Sequence, residues 1–120
     1  MNAKICYNIN YSKVMKGFSV MNHETKIALL AEFERPKVVM FTPEEIALLK
    51  ENYIEAVVSC ALENAEPDEF GKVLTMEWVR GELTDQQFNY IVAGLEPEET
   101  ARIEAKIARM RELGLSWKDL

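Results

Sequence analysis

Thr42-Pro-Glu-Glu45 and the apolar residues behind it constrain this chain more than any other segment. Thr42 offers a hydroxyl to cap a helix, Pro43 suits the first helical position, and the Glu45 carboxylate can return to the cap backbone. Ile46, Leu49, Tyr53, Ala56 or Val57, and Cys60 then recur at three- and four-residue steps. That spacing predicts one apolar face of a helix running to about Asn64. Glu44, Lys50, Glu51 and Glu55 are expected on its other side.

Two further helices are written in the same chemistry. Thr84-Asp-Gln-Gln87 is a second capping box, followed by Phe88, Ile91, Val92 and Leu95, with Gly94 as a stop. Pro97 opens a segment rich in Ala, Glu, Arg and Lys, striped by Ile103, Ile107, Met110 and Leu113 and ended by Gly114. Glu98 and Arg102 stand in the favourable i,i+4 order there. A shorter helix is expected near Asp68–Arg80, with Phe70, Val73, Leu74 and Trp78 on one side despite Gly71.

The first 41 residues read differently. Ile5, Tyr7, Ile9 and Tyr11 alternate with polar partners, as a half-buried strand does. Val38-Val-Met-Phe41 is a short, partly β-branched apolar run between Pro36 and Thr42, again a strand candidate. Lys26–Glu34 fits both the helical and the strand period. At 120 residues the expectation is one compact domain, residues 1–120. Its expected class is α+β but predominantly helical: a small N-terminal β-sheet over about residues 3–41, then four helices. An all-α fold is the alternative.

Charge divides the chain unevenly. Residues 1–41 carry a net +3, residues 42–99 a net −11 and residues 100–120 a net +2, which together make the overall −6. Such a belt repels nucleic acid and attracts basic surfaces. Glu44, Glu45, Asp85, Glu98 and Glu99 sit in expected first helical turns, where negative charge meets the positive end of the helix dipole. Glu63, Glu66, Asp68, Glu69, Glu77 and Glu82 are not absorbed in that way and are the candidate partner-binding acidic surface. Arg102, Lys106 and Arg109 make a positive stripe on the last helix that could lie on phosphates. Internal pairing with the acidic belt is the simpler expectation, and the net charge disfavours direct nucleic-acid binding.

Catalytic and ligand-binding signatures are missing from the sequence. His23 is the one imidazole, the four serines lie in no nucleophile-elbow setting, and the five glycines are scattered rather than gathered in a phosphate loop. Cys6 and Cys60 are far apart and form no Cys-x-x-Cys pair, so no metal site, disulfide or cofactor is implied. The longest apolar runs are far short of a membrane span, and the N-terminus does not read as a signal peptide. A cytoplasmic protein is expected. Trp117 either packs back on the domain or anchors an interface.

These features lead to the expectation of a non-enzymatic protein-binding module: a small acidic inhibitor or modulator engaging a basic, nucleic-acid-handling protein, of the phage or mobile-element anti-nuclease or anti-CRISPR type. Carboxylates standing in for phosphates are the physical basis. The alternatives are a nucleic-acid-associated regulator using the C-terminal basic helix and a structural homo-oligomer.

Overall fold

A computed structural model of the chain describes residues 22–120. Within them run five α-helices: α1 (His23–Leu30), α2 (Pro43–Leu62), α3 (Glu69–Val79), α4 (Asp85–Val92) and α5 (Pro97–Glu112). Short 3-10 turns follow α1 at Ala31–Phe33 and close the segment at Trp117–Asp119.

Side-chain oxygens open four of these helices. The Glu45 N–H donates to Thr42 Oγ1 at 3.1 Å while the Thr42 N–H donates to Glu45 Oε1 at 2.8 Å, a complete capping box. Thr84 and Gln87 repeat it at 3.1 and 2.7 Å. Asp68 Oδ1 accepts from the Gly71 N–H at 2.8 Å, and Asn22 caps α1 through the Thr25 N–H. Each such cap is worth about 1 kcal/mol. α5 starts on Pro97 with no side-chain cap.

α3 is the hub. It packs on α2, α4, α5 and the C-terminal turn, and it buries Val73, Leu74, Met76, Glu77 and Val79. Ile103, Ile107 and Met110 of α5 meet it, joined by Val57, Leu83, Ile91, Leu115, Trp117 and Leu120. Three sequence expectations shift here. Trp78 is 37% exposed while its neighbour Glu77 takes the inward position. Val92 and Leu95 are exposed rather than part of the core. Arg102 pairs with Glu99 one turn before it, not with Glu98.

The expected small β-sheet is not supported, and the all-α alternative fits: no strand occurs among the described residues. A strand needs a ladder partner for its backbone groups. Among the described residues Val38–Phe41 has none; instead the Val38 and Val39 N–H groups both donate to the Gly81 carbonyl, at 2.8 and 2.9 Å. Lys37 Nζ adds a bond to the Arg80 carbonyl at 2.8 Å, so residues 37–39 form a strap held on the α3–α4 turn. The Lys26–Glu34 segment resolves into α1 and its 3-10 extension. The alternating run from Ile5 to Tyr11 and the residue Cys6 lie outside the described residues.

Gly81 makes the strap possible. Its φ is +84°, and a Cβ there would stand 2.3 Å from the Val39 carbonyl oxygen. No side chain fits between the strap and the turn.

Candidate functional site

α3 and α5 bring charge into their seam. Glu77 falls i+3 and i+4 from Leu74 and Val73, so the same face that buries those residues buries its carboxylate completely. On α5, Lys106 lies between Ile103 and Met110 on the inward stripe and is carried inside with them. Lys106 Nζ donates to Glu77 Oε2 at 2.7 Å. Arg102, one turn earlier, grips the same carboxylate with two donors at 2.8 and 2.7 Å. Its Nε and Nη2 also donate to Glu99, at 3.2 and 3.1 Å. Arg35, from the loop after α1, sets Nη1 3.7 Å from Glu77 and 3.8 Å from Glu99 without a hydrogen bond to either.

Burial alone would raise the Glu77 pKa, but the bidentate Arg102 and the Lys106 charge outweigh it and hold the carboxyl below its ordinary value. The same contacts raise Arg102 further. Glu82 behaves in the opposite way. It is buried at the start of α4's approach, and burial pushes its carboxyl up against the opposing pull of Arg80. Arg80 Nε lies 3.1 Å from Glu82 Oε2, yet neither carboxylate oxygen has an aligned donor.

Beside the Glu77 cluster is a cavity of about 260 Å³. Arg35, Gln87, Tyr90, Glu96 and Glu99 contribute its polar wall, with Leu83 and Ile91 beneath. Its one cation, Arg35, stands between two carboxylates at ion-pair distance, with Nη1 lacking a hydrogen-bond partner. Among the described residues no three His, Cys, Asp or Glu side chains converge as metal ligands. Nor is any helix there long and apolar enough to cross a membrane.

The six acids singled out from the sequence are dispersed. Glu63 is exposed at the C-terminal end of α2, Glu66 pairs with Lys72, Asp68 caps α3, and Glu69 pairs with Arg111. Glu77 and Glu82 are buried and present nothing to a partner. Trp117 is 8% exposed, edge-on to Tyr53 with centroids 5.7 Å apart and Lys72 Nζ 5.5 Å from its ring. It docks on its own core. The basic stripe is likewise engaged: Arg102 and Lys106 hold Glu77, while Arg109 holds Glu32 at 2.8 Å and Glu112 at 3.1 Å.

What sequence reasoning left aside is the outward side of α2. Glu44, Glu51 and Glu55 share it with Leu48, Val58 and Leu62, all exposed. Lys50, expected among them, instead turns inward, where burial and the nearby Arg80 lower its pKa. The exposed leucines were legible as residues off the Ile46–Cys60 stripe, but only the packing shows that no described element covers them. No family model, no curated protein and no solved structure matches the chain.

Proposed function

We propose that the protein is a cytoplasmic, non-enzymatic binding module that engages the basic surface of a partner protein. The observation that carries this reading is where the negative charge goes: of the −11 over residues 42–99, the acids of α2 stand exposed on one long helix. An exposed row of carboxylates steers association toward cations and away from phosphates. A partner that handles nucleic acid presents such cations in its groove. This favours a small inhibitor or modulator of the anti-nuclease or anti-CRISPR type. The nucleic-acid-binding alternative has less to stand on, because Arg102, Lys106 and Arg109 are each occupied by a carboxylate.

The test is affinity capture with the tagged chain from a nuclease-treated lysate, eluted along a salt gradient. A basic nucleic-acid-handling protein released by salt supports the reading. Capture of nothing, or only of proteins indifferent to salt, sinks it.

A further inference from the structure

We infer that the outward face of α2 is a docking surface for a partner helix that carries apolar anchors flanked by Lys or Arg. This rests on the binding-module reading above and deepens it by naming the surface and the chemistry it accepts.

α2 is 20 residues long and buries only Val57. Its inner side packs on α3, with Tyr53 and Ile54 half-buried against the core. On the opposite side, Glu44, Leu48, Glu51, Glu55, Val58 and Leu62 follow one another by steps of four and three. That is the spacing of a seam along which a second helix can lie. Leu62 is 82% exposed, Leu48 57% and Val58 52%. Scattered exposed aliphatics are ordinary, but three aligned on one stripe are not scattered.

Charge identifies the occupant. Several acids on the other elements are neutralised within the chain: Glu32 by Arg109, Glu66 by Lys72, Glu69 by Arg111, Glu77 by Arg102 and Lys106, Asp119 by Lys26. Among the described residues, Glu44, Glu51 and Glu55 meet no basic side chain within ion-pair distance. A second copy would set each of these acids against itself when parallel and Glu51 against Glu55 when antiparallel, and a phosphate backbone would be repelled. A cationic helix satisfies both parts of the stripe. Leu48 and Leu62 lie about 21 Å apart at 1.5 Å per residue. The partner's apolar anchors should match that span, with its cations between them opposite Glu51 and Glu55.

The probe is a labelled amphipathic Leu/Lys/Ala peptide of about six helical turns, with leucines four turns apart and lysines between. It is titrated into the whole chain by fluorescence anisotropy at low and moderate salt. Binding should weaken at least tenfold in L48S/L62S, and also in E51Q/E55Q with a shallower salt dependence. It should stay within twofold in E98Q/E104Q, which removes the same charge from exposed positions on α5. All these sites are exposed, so thermal melts should be unchanged and lost binding should not reflect lost folding. If L48S/L62S binds as the parent does, or E98Q/E104Q loses as much as E51Q/E55Q, the attraction is general and this surface is not the site. Charge-directed binding then survives, as the capture experiment judges it separately. Absence of peptide binding at any salt overturns the docking surface. So does sedimentation showing a dimer that L48S/L62S dissociates, because the occupant is then a second copy.

Discussion

Glu77 and Lys106 meet at 2.7 Å inside the protein, although they lie on different helices and 29 residues apart in the chain. A buried charge is tolerated when its partner is buried with it, and losing one of the two is far worse than losing both. Glu77→Gln should therefore destabilise by about 3–5 kcal/mol, since it leaves Lys106 without a counter-charge. Glu77→Leu combined with Lys106→Leu should cost much less than the sum of the single changes. Urea denaturation of the four proteins in the cycle checks this. Because the folded Glu77 pKa lies below the ordinary 4.5, its contribution is present above that value and is lost as pH falls through the folded pKa. Acid unfolding should thus be shallower in the double variant.

Glu82 is expected to act with the opposite sign. Its folded pKa is raised above 4.5, so the folded protein holds a proton that the unfolded chain has released, and stability falls as pH rises through the folded value. Glu82→Gln should raise Tm at pH 7 and flatten the Tm profile on the alkaline side of pH 4.5, read by calorimetry. An unchanged profile would mean that Arg80 fully compensates the burial.

Two glycines with similar backbone angles should respond differently to alanine. Gly94, at φ +76°, has nothing within 4 Å of a new Cβ, so Gly94→Ala should cost about 1–2 kcal/mol of backbone strain alone. Gly81→Ala adds a collision with the Val39 carbonyl and should cost more than Gly94→Ala. Hydrogen exchange at the Val38 and Val39 amides should accelerate in the Gly81 variant only, because both bond to the Gly81 carbonyl.

The two tryptophans should report different surroundings. Trp78 stacks on Phe88 at 5.1 Å and donates Nε1–H to Asp85 at 2.8 Å while staying partly exposed. Trp117 is enclosed. Acrylamide should quench Trp117→Phe, which retains Trp78, more strongly than Trp78→Phe, which retains Trp117. Trp117→Ala should cost about 3–5 kcal/mol.

The capping boxes at Thr42 and Thr84 and the stops at Gly94 and Gly114 were legible because they are local: neighbouring residues supply both donor and acceptor. Val38–Phe41 misled because its composition suits a strand, whereas strand formation depends on a distant partner that composition does not encode. Glu77 and Glu82 misled because charge type favours the surface. A signal for Glu77 existed in the pattern. It stands on the Phe70–Val73–Leu74 face, and Lys106 stands on the Ile103–Ile107–Met110 face, so each apolar stripe carries one charge of opposite sign. Two such interruptions point to a buried pair. Glu82, in the turn before α4, has no periodic neighbours that could betray it.

The C-terminal turn has a consequence for synthesis. Trp117 and Leu120 fill the core, and Asp119 bonds Lys26 at 3.0 Å across 93 residues of chain. A nascent chain translated as far as Gly114 already contains the sequences of α1 to α5 but lacks the side chains that close their seat. Until residues 115–120 leave the ribosome, Tyr53 and its apolar neighbours stay open to water, and closure must draw together Lys26 and Asp119, 93 residues apart in the chain. The helices can form as they emerge, but their assembly waits for the stopper.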